Sequence, residues 1–68
     1  MTAFLVEHFG EGIITRYYAG WSDWCDNPNH ARKYAIALPA AMIVLELLER
    51  SRPLQGSYRV AEHMWVDA

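Results

Sequence analysis

The side chains that could carry out nucleophilic chemistry in this sequence are few and lie far apart. Cys25 is the one cysteine, and a cysteine acts as a nucleophile when a base such as histidine lies beside it. The three histidines, His8, His30 and His63, are scattered singly along the chain. Cys25 directly follows Trp24, a setting more typical of a small packing residue. The sequence therefore favours a non-catalytic role for Cys25.

Two acidic side chains, Asp23 and Asp26, could act as a general acid and base or hold a hard cation. They lie beside an Asn-Pro pair, where aspartate is far more often a turn former or a cap. The segment Gly10-Glu11-Gly12 lacks the remaining glycine and the following helix of a nucleotide-binding loop. We therefore predict a protein without an enzymatic site.

A metal or cofactor site is not expected either. Zinc sites usually have four ligands, often in Cys-x-x-Cys spacing, and the cysteine and histidines of this chain are not paired in that way. A single cysteine cannot close an intrachain disulfide, which is typical of proteins from a reducing compartment. Residues 1–8 have no basic segment and carry charge too early for a signal peptide. These features predict a cytoplasmic protein without cofactor or metal.

Length, composition and charge predict one folded domain. The chain has 68 residues, of which 53% are hydrophobic and 21% charged, the composition of a folded protein with room for a single core. We therefore assign residues 1–68 to one domain. The longest uncharged stretch, residues 34–45, is shorter than the roughly 20 residues of a membrane helix. The net charge of −2 gives no basic field that would attract a phosphate backbone.

Strand and turn signals divide the first half of the chain. Residues 3–9 and 13–18 are rich in β-branched and aromatic side chains and flank the glycines of residues 10–12, which predicts a β-hairpin. Residues 21–29 are dense in Asp, Asn, Pro and Ser and are predicted to form a long loop. The Asn-Pro pair in this loop fits the N-cap and first position of a short helical turn over residues 28–34.

The second half of the chain predicts a helix and a closing strand. Pro39 suits a first helical position, residues 40–50 contain strong helix formers, and Pro53 ends the helix. Residues 57–67 alternate as in a half-buried strand. The predicted apolar stripe of the helix comprises Ala41, Val44, Leu45 and Leu48, with Ile43 and Leu47 as a second flank. We expect this second flank to lie under residues 21–29 or against another chain, which leaves both a monomer and a homodimer open.

Strand, strand, helix and strand in this order predict an α+β fold. The expected architecture is a two-layer ββαβ sandwich, with a three-stranded antiparallel sheet and one main helix packed on one face. The opposite sheet face is predicted to display a mixture of cations and aromatic rings, namely Arg16, Tyr18, Arg59, His63 and Trp65. Such a mixture is typical of protein interfaces and also of platforms for single-stranded nucleic acid. The excess of acidic over basic residues, with a net charge of −2, favours a protein partner over a nucleic acid.

Three tryptophans and four tyrosines are many for so small a core. We therefore expect at least one of Trp21, Trp24 and Trp65 to stay exposed and to anchor a partner. The predicted partner-binding residues combine the loop with the sheet face: Trp21, Asp23, Trp24, Asp26, Arg16, Tyr18, Arg59, His63 and Trp65.

The layout of nearly the whole chain resembles that of small phage-encoded proteins. It comprises a hairpin, a Trp-bearing acidic loop, a short Ala-x-x-aromatic turn, an Ala-rich helix and a final strand. The positions that carry the resemblance are Trp21, Asp23 or Asp26, Ala31, Tyr34, Ala40, Ala41 and residues 58–66. Anti-CRISPR inhibitors are among the proteins of this kind. The resemblance implies a non-enzymatic protein that acts in the cytoplasm of the host bacterial cell and blocks a CRISPR effector complex by occupying its surface.

The charge of the chain narrows the implied mode of inhibition. A net charge of −2 is too small to imitate a DNA duplex, as strongly acidic members of that group do. The resemblance therefore implies steric or allosteric blocking. The alternative function is a small nucleic-acid-binding or regulatory module that uses the open sheet face, and its binding would weaken steeply as salt rises.

Overall fold

The computed structural model describes residues 2–21, 23–50 and 55–64. Its strands are β1 (Thr2–Phe9), β2 (Arg16–Gly20), β3 (Asp23–Cys25) and β4 (Ser57–Met64). Helix α1 spans Ala37–Arg50, and Pro28–His30 forms a single 3-10 turn. The predicted α+β fold with one main helix and an antiparallel sheet is confirmed. The sheet has four strands in the order β3-β2-β1-β4, so the prediction of three strands was wrong.

The additional strand, β3, lies within residues 21–29, which were predicted to be a loop. It pairs with β2 through Tyr17 opposite Cys25 and Tyr18 opposite Trp24. The chain reverses at Gly20 and Trp21, which have positive φ angles of 93° and 55°. A strand of three residues is too short to show a period of two, so its polar composition predicted a loop instead.

Strand β1 is central, and its two neighbours pair with it to different extents. It pairs with β4 along its whole length, from Thr2 opposite Met64 to Phe9 opposite Ser57. It pairs with β2 only at Glu7 and His8, beyond which the two strands diverge.

The gap between β1 and β2 is filled by residues 32–34. Phe4 and Tyr34 exchange two backbone hydrogen bonds of 2.8 and 2.9 Å, and the Arg32 N–H donates to the carbonyl of Tyr18 at 3.0 Å. The helical turn predicted over residues 28–34 is therefore correct only for Pro28–His30. Its predicted N-cap is confirmed, since the side chain of Asn27 accepts a hydrogen bond from the backbone N–H of Asn29 at 2.9 Å.

Helix α1 begins two residues before Pro39 and packs on β1 and β4. Ala40 is fully buried on the side that faces the sheet, whereas Leu45 is 62% exposed. Leu45 was predicted to belong to the buried stripe, and that prediction was wrong. The sheet-facing side is centred on Ala40, Val44 and Leu47, one helical turn apart from each other. No helix in the described part of the chain is long and apolar enough to cross a membrane.

The strand register divides the sheet into two faces, because residues directly opposite each other in adjacent strands share a face. We call one of them the open face: Leu5, Glu7, Tyr17, Arg59 and His63. The other, the helix face, carries Phe4, Val6, His8, Tyr18, Tyr34 and Tyr58. Helix α1 lies on the latter face, since its residues Pro39 and Ile43 line a cavity together with Tyr18 and Tyr34.

The predicted grouping of sheet-face residues is corrected by this register. Arg59 and His63 do lie on the face opposite the helix. Arg16 lies opposite His8 in the neighbouring strand, so Arg16 and Tyr18 belong to the helix face instead. Trp65 lies outside the described residues.

Candidate partner-binding surface

A groove separates the sheet from the N-terminal half of α1. Its volume is about 320 Å³. Its walls come from β2, from the segment that fills the gap beside β1, and from α1: Tyr18, Gly20, Trp21, Arg32, Tyr34, Pro39 and Ile43. The walls are mostly aromatic and apolar, with the guanidinium of Arg32 as a polar group. Such a lining is typical of a surface that binds an apolar segment of a partner.

Trp21 stands at the mouth of this groove. It is 91% exposed, and the left-handed turn with φ 55° holds the indole away from the core. An exposed tryptophan offers a large rigid contact area at low entropic cost, which is why tryptophan is frequent among residues that dominate binding energy. The expected exposure of at least one tryptophan is thus found at Trp21. Its role as an anchor stays a prediction.

The guanidinium of Arg32 lies beside the ring of Tyr34 in the groove. Its guanidinium carbon lies 5.9 Å from the centroid of the Tyr34 ring, within the range of a cation–π contact. A methyl group at Gly20 would lie only 3.3 Å from an Arg32 Nη atom, so the absence of a side chain at Gly20 leaves room for the guanidinium. The groove therefore offers the hydrogen-bond donors of a guanidinium within a mostly aromatic and apolar wall.

The exposed side of α1 continues this apolar character. Among the described residues, four large hydrophobic side chains between positions 36 and 45 are more than 60% exposed: Ile36, Leu38, Met42 and Leu45. Met42 lies one helical turn from Pro39, which lines the groove, and also one turn from Leu38 and Leu45. A helix that is apolar around most of its circumference is normally covered by other protein. The sequence contained this signal, because positions 38, 42 and 45 repeat at helical spacing.

Trp24 does not line the groove, although it was predicted to bind a partner. Its ring stacks on Tyr58 at 5.6 Å with an interplanar angle of 12° and contacts the rings of Tyr18 and His8. His8 in turn donates a 2.7 Å hydrogen bond from Nε2 to the carbonyl of Gln55. Trp24 is half-buried in this aromatic cluster, which ties β3 to β4 across the helix face.

Next to the aromatic cluster lies a second, smaller cleft of about 300 Å³, lined by His8, Arg16, Trp24 and Tyr58. Asp23 and Asp26 are exposed on and after β3. Within the described residues, no three His, Cys, Asp or Glu side chains are gathered as a metal site requires. The thiol of Cys25 shares its hydrogen between the backbone carbonyls of Asn27 at 3.3 Å and Tyr17 at 3.5 Å.

The open face contains a buried carboxylate that sequence reasoning did not find. Glu7 is 4% exposed and accepts hydrogen bonds from Arg59 Nε at 2.7 Å and from His63 Nε2 at 2.8 Å. The ring of His63 also contacts the edge of Tyr17, with centroids 5.7 Å apart. Arg59 and His63, predicted to bind a partner, therefore bind Glu7 within the chain.

This network covers the core on the side without a helix. Glu7 and His63 lie on either side of Leu5 along the sheet, because His63 pairs with Ala3 and Leu5 lies between Ala3 and Glu7. The hydrogen bond between them passes over Leu5, which is fully buried. The polar side chains of the open face thus cover the buried Leu5 side chain.

Tyr34 gives the groove a titratable group whose pKa is shifted. Burial raises the pKa of Tyr34 above its ordinary value of 10.0, although the nearby Arg32 lowers it in part. The folded state therefore favours the neutral phenol of Tyr34. Its contribution to the free energy of unfolding is complete below pH 10 and is lost as the pH rises through the higher pKa of the folded state. We expect Tyr34→Phe to lose less stability than the original chain above pH 10, as measured by urea unfolding. An unchanged pH dependence would contradict the assignment.

Comparison with protein-family models, with curated protein sequences and with solved structures finds no match to this chain.

Proposed function

We propose that this chain is a non-enzymatic protein-binding domain whose partner contacts the groove and its border. The observation that supports this is a groove lined by aromatic and apolar side chains, with Trp21, 91% exposed, in its lining and with Ile36 and Met42 also more than 60% exposed. Exposing such groups to water is unfavourable by about 25 cal/mol for each Å² of apolar surface. A protein partner that covers them gains this free energy on binding.

Two further features favour a protein over a nucleic acid as the partner. The chain has a net charge of −2, and Arg32 contributes the cationic group of the groove lining. The cations and rings predicted to form one nucleic-acid platform are divided between the two sheet faces, with Arg16 and Tyr18 on one and Arg59 and His63 on the other. Arg59 and His63 are also engaged by Glu7.

The biological role that we propose is inhibition of a host protein complex by a phage or mobile-element protein in the bacterial cytoplasm. The resemblance to anti-CRISPR inhibitors makes a CRISPR effector complex the leading target. The inhibitor would act by occupying a surface of the effector, since the groove is suited to bind an apolar segment.

Three variants test the proposed surface. Trp21→Ala removes the exposed anchor, and Met42→Glu places a charge one helical turn from Pro39 of the groove lining. Ile14→Glu is the matched control, because Ile14 is 75% exposed in the hairpin connection, away from the groove. The tagged chain is used to capture partners from a bacterial lysate, and the affinity of the purified partner is then measured by calorimetry, with a panel of purified CRISPR effector complexes tested alongside.

We expect Trp21→Ala and Met42→Glu each to weaken binding about tenfold or more, which corresponds to at least 1.4 kcal/mol. Ile14→Glu is expected to bind as the original chain does. Equal losses in all three variants, or none, would exclude the groove as the interface. Capture of nucleic acid that is released as salt rises would instead support the nucleic-acid alternative.

A further inference from the structure

Strand β4 forms an edge of the sheet in the described part of the chain. Phe4 exchanges its backbone hydrogen bonds with Tyr34 on the other side of β1, so the odd-numbered residues of β1 bond to β4. Their partners are Arg59, Ala61 and His63. The backbone N–H and C=O groups of the alternate residues, including Val60, Glu62 and Met64, therefore point outward from the sheet. Such an edge is a template for another strand.

An apolar flank of α1 lies on the same side as this edge. Pro39 and Ile43 face the groove beside β2, and Leu45 is two residues, or about 200° around the helix, from Ile43. Leu45 and Ala41 consequently lie on the flank toward β4. Leu45 is 62% exposed and Leu38, on the adjoining turn, is 65% exposed.

We infer that the chain forms a homodimer in which β4 pairs antiparallel with β4 of a second copy, giving a continuous eight-stranded sheet. A two-fold axis perpendicular to the sheet places both helices on the same face. The axis lies about 2.4 Å beyond β4, half of the usual strand spacing. Since α1 packs on both β1 and β4, this symmetry brings the β4-facing flanks of the two helices toward each other above the new strand pair.

The charges of β4 select the register of this pairing. Centring the two strands on Glu62 would place two carboxylates opposite each other, and like charges directly opposite destabilise a strand pair. Centring on Val60 avoids this arrangement, sets a β-branched residue against itself, and lets the two Val60 residues exchange their backbone hydrogen bonds. The self-complementary contact is what a two-fold dimer requires.

The oligomeric state tests this inference directly. Light scattering and sedimentation of the full chain are expected to show a dimer. Glu62→Pro removes an outward N–H from an exposed edge position where proline is tolerated, and Leu45→Glu places a charge between the two helices. Each is expected to weaken dimerisation about tenfold or more, whereas Trp21→Ala, at the groove beside β2, leaves it unchanged. Circular dichroism establishes that each variant is folded.

A cross-link tests the register. In a Cys25→Ser background, Val60→Cys is expected to form an intermolecular disulfide on mild oxidation, because directly paired residues have Cα atoms within disulfide range. Ile14→Cys in the same background serves as the control that does not cross-link.

A monomer at all concentrations would overturn the inference. So would a dimer that Leu45→Glu and Glu62→Pro leave intact and that Val60→Cys does not link. The dimer concerns the opposite flank of α1 from the groove, so its failure leaves the proposed partner-binding function untouched.

Discussion

Replacing both Arg59 and His63 with alanine is expected to cost about 3 kcal/mol of unfolding free energy. The two side chains donate the hydrogen bonds at 2.7 and 2.8 Å that satisfy the carboxylate of Glu7. Glu7 is 4% exposed, so without these donors it would remain buried with its charge uncompensated. The figure is at the lower end of the range for broken buried ion pairs, because the Arg59 side chain is 53% exposed and water screens part of its interaction.

The same double variant offers an internal control at Glu7. Adding Glu7→Leu removes the buried carboxylate and fills its space with an apolar side chain, so we expect this triple variant to recover most of the lost stability. Urea unfolding followed by circular dichroism measures all three chains. A triple variant as unstable as the double variant would show that Arg59 and His63 act through packing alone, and a fully stable double variant would show that the network contributes nothing.

The local elements of this fold could largely be predicted from the sequence. The hairpin, the helix and the closing strand were found because each extends over at least five residues with a recognisable pattern. The Asn-Pro pair at positions 27–28 correctly identified a helical N-terminus, since capping depends on one or two neighbouring residues. What was missed, β3 and the extended residues 32–34, depends on pairing partners elsewhere in the chain.

The assignment of residues to sheet faces could not be predicted in the same way. The period of two within β2 separates Tyr17 from Tyr18, but it does not say which of them shares a face with Arg59. That relation is fixed by the register between β1 and β2, and a shift of one residue exchanges the faces. The irregular connection between Phe9 and Arg16 leaves this register open in the sequence.

Glu7 shows the same limit at a single position. In the sequence it is one charged residue within an apolar strand. Its partners Arg59 and His63 follow 52 and 56 residues later in the chain. Only the complete pairing of β1 with β4 brings the three side chains together, so no local pattern could have revealed the network.

The two flanks of α1 give the proposed functions separate locations. Pro39 and Ile43 line the groove, while Ala41 and Leu45 lie toward the edge of β4. In the proposed dimer both grooves lie on the same side of the eight-stranded sheet, each away from the two-fold axis. A target complex with two copies of the binding site could then hold both grooves at once, and the second contact would form at a high effective concentration.

Gly56→Ala is expected to destabilise the fold by about 3 kcal/mol, whereas Gly12→Ala should cost about 1 kcal/mol. Both glycines have the same left-handed conformation, with φ angles of 76° and 77°, so each alanine carries the same backbone strain. A methyl group at Gly12 would meet nothing within 4 Å. At Gly56 it would collide with the carbonyl oxygen of Phe9 and lie 2.5 Å from Ile13 Cδ1.

The difference in unfolding free energy between these two variants therefore reports how closely the backbone at the start of β4 approaches the end of β1. The Phe9 carbonyl belongs to the backbone of the central strand and cannot rotate away, so relief of the collision requires β4 to shift at the point where Ser57 pairs with Phe9. Such a shift would also disturb Arg59, two residues further along, and with it the hydrogen bond to Glu7. We expect urea unfolding to give a clearly larger loss for Gly56→Ala. Equal losses in the two variants would mean that the strands separate at this end without cost, and that the register of β4 is held by the Glu7 network instead.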